Sequence, residues 1–220
     1  MNAYLISYSQ PNNNFCDGGM DLQDLIAYSA RVSNPSNQMN KETNDKLINY
    51  LLTHSHWSPL EMVSACLEIE TTRDIARQIL RHRSFSFQEF SQRYADPTSE
   101  LGFEIREARL QDHKNRQNSI ETSNGTLAAA WEQKQQDLIA EIKKEYQWAI
   151  EHGIAKEQAR AILPEGNTVS RMYMAGSIRS WVHYINLRTG PETQKEHREV
   201  ARACAEALEP VFPMITQFVK

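Results

Sequence analysis

Between residues 62 and 83 the apolar period of this chain changes from two to about three and a half. Val63, Ala65, Leu67 and Ile69 alternate with polar or small residues, the pattern of a strand with one buried face. From Thr72 onward Ile75, Ala76, Ile79 and Leu80 fall at helical spacing, while Arg73, Arg77 and Arg81 share another face. A strand running straight into a helix over 62–83 requires a core that sheet and helix share.

The rest of the chain supports that architecture. Residues 3–8 read as a short strand. Asp21 caps a helix to about Val32, and a second helix covers 41–54, ended by the run from His54 to Pro59. The spacing predicts a long helix over 127–152 stopped by Gly153, a shorter one over 156–163 stopped by Pro164, and a helix over 178–187. A last helix is expected from Pro191 to about Leu208, and residues 169–174 look extended. Residues 111–126 are polar and read as a surface loop or partly mobile insertion. Helix exceeds strand, and the strands are scattered between helices. The expected class is α+β: a small antiparallel or mixed sheet packed with helices, plus a helical appendage. With no internal repeat and no linker, residues 1–220 are expected to form one domain.

Composition excludes several function classes. A formal net charge of −4 gives no global field for nucleic acid. No apolar run is long enough to span a membrane, and the N-terminus carries no signal-peptide pattern. Cys16, Cys66 and Cys204 are widely separated and form no disulfide framework, which fits a reducing cytoplasm. Cys66, inside an apolar run, reads as a buried core thiol, and Cys16 as a loop residue. His54, His113, His152 and His197 carry no specific signal, and the histidines form no metal-ligand set, so no metal is expected. Gly166, Gly176 and Gly190 form no dinucleotide fingerprint.

Arginine usage is the chemical signal. From Thr71 to Tyr94 there are five arginines and no lysine, ending in Arg81-His82-Arg83 and, after seven residues, Ser91-Gln92-Arg93. Arginine grips phosphate and carboxylate through a planar fork that stays charged. A solvated basic helix face is the plainer reading of these residues, but Phe85, Phe87 and Phe90 are too apolar for it and suit a core. A second lysine-free stretch between Glu157 and Gln194 holds Arg160, Arg171, Arg179 and Arg188. Taken alone, these residues leave three classes open: a nucleotide enzyme, a helical nucleic-acid-binding module, and a subunit whose arginines pair with carboxylates across an interface. A nucleic-acid module would be basic with interleaved lysines, and this chain is acidic.

The ordered pieces are His56-Trp-Ser58-Pro59-Leu-Glu61, Ala76-Arg77-Gln78, the run from Arg81 to Tyr94, Ala159-Arg160-Ala-Ile-Leu163-Pro164, and Asn186-Leu187-Arg188, with Gln194 and Glu196 beyond. In these pieces the chain resembles the flavin-dependent thymidylate synthases, over about residues 56–196. The resemblance implies an enzyme that makes dTMP from dUMP. Its one-carbon unit would come from methylenetetrahydrofolate, and its reducing power from FAD refilled by NADPH. It also implies a homotetramer with active sites shared between subunits.

Carried over by residue, the resemblance implies that His56 and Ser58 sit at the flavin and folate. Arg81, His82 and Arg83 would bind FAD, with Arg81 also near the nucleotide. Gln78, Glu89, Ser91, Arg93 and Arg160 would hold dUMP. Arg188 would contact the pyrimidine, favour ionisation of its N3 and so be the catalytic residue. Family members often carry Asn-Ala-Arg where this chain has Ser177-Ile178-Arg179, and a flavin-contacting Asn where it has His183; Arg179 and His183 are thus assigned to the cofactor. Met62 stands where many members have His. No cysteine is placed as a nucleophile, as the flavin route allows, and Ser91 is read as a binding hydroxyl.

Overall fold

The alternation at 63–69 is the pleat of a strand with one buried face. Val63, Ala65, Leu67 and Ile69 are at most 3 % exposed. The computed structural model describes residues 1–15 and 19–220. In chain order its elements are β1 (Asn2–Tyr8), α1 (Leu22–Ala30), α2 (Asn44–Thr53), β2 (Ser64–Thr72), α3 (Arg73–Ile79), β3 (Ser86–Glu89) and α4 (Pro97–Glu100). There follow β4 (Arg109–Gln111), β5 (Ser119–Glu121), α5 (Gly125–Glu151), α6 (Lys156–Ala159), β6 (Val169–Ser177), α7 (Ile178–Arg188) and α8 (Lys195–Leu208). The main sheet is small and antiparallel, in the order β1-β2-β6-β3; β4 and β5 pair separately, Leu110 opposite Ile120. The class is α+β, with helix in excess, as the pattern predicts.

The described chain packs as two compact units. One comprises Met1–Ile69, His82–Phe87 and Tyr173–Lys220; the other comprises Glu70–Arg81 and Gln88–Met172. In the first, α8 lies on β1 and turns Val200, Ala201, Cys204, Ala205 and Leu208 inward. Trp181 of α7 is fully buried, and its indole Nε1 donates to the Ala65 carbonyl at 3.1 Å. The Phe85 ring meets Trp181 edge-on at 4.8 Å. Gly176 lies directly against Phe85: a Cβ there would stand 2.5 Å from the ring. In the second unit, Tyr146 and Ala149 of α5 pack with Ala159 and Leu163. The side chain of Gln135 clamps the Arg106 backbone from both sides, its Oε1 accepting from the amide and its Nε2 donating to the carbonyl, each at 2.9 Å.

Several boundaries differ from the sequence reading. The helix expected over 72–83 stops at Ile79, and the Arg81-His82-Arg83 triplet lies in a turn. The Leu80 amide still reaches the Ala76 carbonyl, but the Arg81 amide bonds Gln78 in a tighter turn. Burial of Phe85 among aromatic rings draws the chain out of the helix and into β3. The last helix starts at Lys195 rather than Pro191, because residues 190–193 close a turn from the Thr193 amide to the Gly190 carbonyl. Residues 111–126 contain the second strand of the β4–β5 hairpin and the Asn124 cap of α5. Cys66 is half-buried rather than in the core, since the β2 pleat turns its odd-numbered neighbours inward. Cys16 lies outside the described residues.

Candidate active site

In the second unit, α3 presents its arginines to carboxylates. Arg73 Nη1 lies 3.3 Å from Glu89 Oε1, and Glu89 also accepts from Ser170 Oγ at 2.8 Å. Arg77 Nη2 donates to Glu165 Oε1 at 2.8 Å, and this pairing holds the Glu165 carboxyl below the usual carboxylate range. These two arginines, with Gln92, Glu157, Arg160, Leu163 and Glu165, line a cleft of about 320 Å³. Three guanidiniums against two carboxylates leave the lining with an excess of positive charge. Arg160 has no acidic partner among the described residues. Gln92 is 5 % exposed, and its Nε2 has no hydrogen-bond partner. A buried amide left unpaired costs about 1–3 kcal/mol. Ser91 and Arg93 line a neighbouring cleft with Tyr94, Lys156 and Glu157, where Arg93 Nε lies 3.4 Å from Glu157 Oε2.

In the first unit a second group surrounds Arg188, in the last turn of α7. Its Nε donates to His82 Nε2 at 2.9 Å. Guanidinium only donates, so His82 accepts through a bare Nε2 and carries its proton on Nδ1. The His82 ring stands edge-on to Tyr184 at 5.0 Å, and the Tyr184 hydroxyl lies 3.2 Å from Nε2 of the fully buried His197. Burial foremost, then the Arg188 charge, push the His197 pKa down to about 3, so this imidazole is neutral. At the start of α7, Arg179 Nη1 donates to Glu61 Oε1 at 2.7 Å, and Arg179 Nε faces His183 Nε2 at 3.4 Å. Burial and then Arg179 lower the His183 pKa, and its ring lies 4.6 Å from Trp57. Hydrogen bonds from Ser177 and then Arg179 hold Glu61 below the usual carboxylate range.

His56 is aimed by the end of α2. Ser55 adopts the left-handed region at φ 58°, its amide reaches the Leu52 carbonyl, and the His56 amide reaches Leu51 at 2.8 Å. His54 at the cap stacks on Tyr50 at 4.0 Å. The end of α5 repeats the device with Gly153 at φ 77° and His152 stacked on Trp148 at 4.3 Å. Ser58 opens a short 3-10 turn, and Gln78 is half-buried on α3. Arg81 and Arg83 are exposed and have no acidic partner among the described residues.

Residues 19–214 match the model of the thymidylate synthase complementing protein family. The chain is 48 % identical over 217 residues to a probable flavin-dependent thymidylate synthase of Paramecium bursaria Chlorella virus 1, covering 99 % of this chain and 98 % of that one. It is 46 % identical over 215 residues to the flavin-dependent thymidylate synthase of Synechocystis sp., covering 98 % and 97 %.

The chain belongs to the flavin-dependent thymidylate synthase family.

Its fold matches a UMP/dUMP methylase from Streptomyces cacaoi, solved with 5-Br UMP, at a TM-score of 0.79 and 24 % identity over 99 % of this chain and 92 % of that one. Around the motif residues of a flavin-dependent thymidylate synthase, the structure adds groups that sequence reasoning passed over. Glu61 and Gln92 lie inside the matching pieces, where position was the available signal. His197 carried no signal, because nothing local announces that a histidine will be buried beside Tyr184 and His82.

Proposed function

We propose that this protein makes dTMP from dUMP, with FAD as bound flavin, methylenetetrahydrofolate as one-carbon donor and NADPH as reductant. The observation that carries the reading is the arginine cleft with the unpaired Gln92 amide, in a chain whose motif turn leaves Arg81 and Arg83 exposed. An anionic ligand with additional acceptors suits that lining. In our reading Gln78, Arg81, Glu89, Ser91, Arg93 and Arg160 hold the nucleotide. Glu89 accepts from it in an orientation fixed by Arg73 and Ser170. His56, Ser58, Arg81, His82, Arg83, Arg179 and His183 bind the cofactor. The residues fit a flavin dinucleotide: the exposed guanidiniums suit its pyrophosphate, and Trp57 with the neutral-leaning His183 offers an aromatic, weakly polar surface.

When bound, the flavin supplies the hydride that converts a transferred methylene into a methyl group. The protein's own share is placement and charge. Arg188, its Nε held by His82, faces the pyrimidine with a fixed cation and stabilises the charge that forms at N3 and O2 as N3 loses its proton. That charge enriches C5, the carbon that gains the methyl group and releases its proton. The working enzyme is a cytoplasmic homotetramer in this reading. The test is tritium release from C5-labelled dUMP with methylenetetrahydrofolate, NADPH and FAD. Release that depends on all four supports the reading; release that is indifferent to flavin, or no release from a yellow, folded protein, refutes it.

A further inference from the structure

Behind the motif turn, Tyr184 is the centre of an aromatic cluster. It is 1 % exposed, and His82, Phe85, Trp181 and His197 stand round its ring at 5.0, 6.0, 6.0 and 5.8 Å. Its hydroxyl lies 3.2 Å from Nε2 of His197, and both residues are cut off from solvent. Burial keeps the phenol protonated and the imidazole neutral, so the pair carries no charge. Arg188 and the buried Cys204 are the other titratable groups that bear on the hydroxyl; Arg188 and His82 bear on His197. A neutral hydrogen bond of this kind adds only about 1 kcal/mol to stability, and two apolar side chains of the same shape do nearly as well. What it adds beyond apolar contact is direction, because a phenol tied at its far end keeps one tilt.

We propose that Tyr184 and His197 are positioning residues: their hydrogen bond holds the His82 ring in the orientation that accepts from Arg188 Nε, and so aims the Arg188 guanidinium at the pyrimidine. The His82 ring stands perpendicular to both, at interplanar angles of 84° to Tyr184 and 88° to His197. A half-turn of that ring about Cβ–Cγ would put carbon Cε1 where Nε2 stands, and the 2.9 Å contact with Arg188 would be lost. Turning it disturbs one neighbour or the other, and the hydrogen bond between them makes the corner they form rigid. Tyr184 also precedes Arg188 by four residues on α7, so it bounds both partners of the contact. Because the pair is neutral, it reaches the reaction by placement and not by its own field. This role rests on the reading of Arg188 given above and adds two residues that act through it.

The test is a double-mutant cycle on the full-length, flavin-loaded protein. Tyr184→Phe keeps the ring and removes the hydroxyl. It should lower turnover at saturating dUMP by about tenfold, with the half-saturating dUMP concentration within about threefold of wild type. On top of Arg188→Ala the same change should cost less than about twofold, because nothing is left to aim. A second readout needs no turnover: the pH at which bound 5-fluoro-dUMP loses its N3 proton, followed by fluorine NMR without folate. A well-aimed cation lowers that pH, so Tyr184→Phe should raise it by about one unit. Tyr184→Phe with His197→Leu replaces the pair by apolar groups; urea unfolding should show stability recovered relative to Tyr184→Phe alone, while the ionisation pH stays raised. Recovery of both, or equal losses from Tyr184→Phe with and without Arg188, reduces the pair to packing and overturns the role. A wild-type rate and ionisation pH in Tyr184→Phe also overturn it, leaving Arg188 where it stands. If Arg188→Ala alone changes neither rate nor ionisation, the reading of Arg188 fails and takes this role with it.

Discussion

Arg188 Nε donates to His82 Nε2 at 2.9 Å, so the last turn of α7 and the motif turn that follows α3 are joined side chain to side chain. The histidine of the triplet is therefore neutral in this state, and it fixes the direction of a guanidinium whose charge is permanent.

Arg188→Ala should lower turnover at saturating dUMP by about 100-fold or more, because a charge-stabilising group acts on the transition state. Arg160→Ala should chiefly raise the dUMP concentration required, since in the proposed site its cleft-lining guanidinium would serve binding. Lysine at 188 should recover part of the charge effect without the planar geometry. Single-turnover methyl transfer at saturating dUMP separates the two; a wild-type rate for Arg188→Ala with a slowed Arg160→Ala would reverse the assignment.

Gln92→Met should move stability and binding in opposite directions. The unpaired buried Nε2 burdens the ligand-free protein, and an apolar side chain of similar length removes that burden, stabilising it by about 1 kcal/mol. The same change removes the donor that dUMP would satisfy. Thermal melts with and without dUMP report both: the melting temperature should rise in the variant alone, and its increment with dUMP should shrink. An undiminished increment would remove Gln92 from the nucleotide site.

His197 should give the fold an acid limit. In the unfolded chain it takes up a proton near pH 6.5, whereas in the native state it does so only near 3. Between those values the unfolded state binds more protons, so stability is full above about pH 6.5 and falls as pH falls, by up to ~1.4 kcal/mol per pH unit. His197→Gln gives up packing and a hydrogen bond at neutral pH but loses this slope. Urea unfolding across that window should show the wild type and variant converging as the solution is acidified; parallel curves would contradict the assignment.

Ser55→Gly should stabilise the protein by about 1 kcal/mol, because Ser55 holds a left-handed backbone that α5 assigns to Gly153 at the corresponding place. The gain is entered against the extra freedom glycine brings to the unfolded chain, so chemical denaturation is the measurement. A decrease in midpoint would mean that the Ser55 side chain makes a contribution greater than its strain.

The strand-to-helix change at 62–80 was legible because period is a local property, and Val63 to Ile69 display it within one strand. The end of α3 was not. Leu80, Arg81 and Arg83 are good helix formers, and the decision is made by Phe85, whose partners Trp181 and Tyr184 lie about a hundred residues further on. The arginine clusters that line the candidate cleft were legible from type and spacing. Their carboxylate partners were not, because Glu61, Glu89 and Glu165 come from separate elements. Gln92 escaped for a different reason: a glutamine in a polar run suggests solvent, and only packing shows it buried.

Gly176 makes the motif turn vulnerable from a distance in sequence. Its backbone is the wall against which the Phe85 ring rests, and the Phe85 amide bonds the His82 carbonyl at 3.3 Å. Any side chain at 176 must displace that ring, and the ring carries the Arg81–Arg83 turn with it. In a random mutagenesis screen for loss of thymidine-independent growth, position 176 would therefore score beside the arginines while touching no ligand. An inhibitor able to prise Phe85 from that wall would silence the enzyme without resembling any of its substrates.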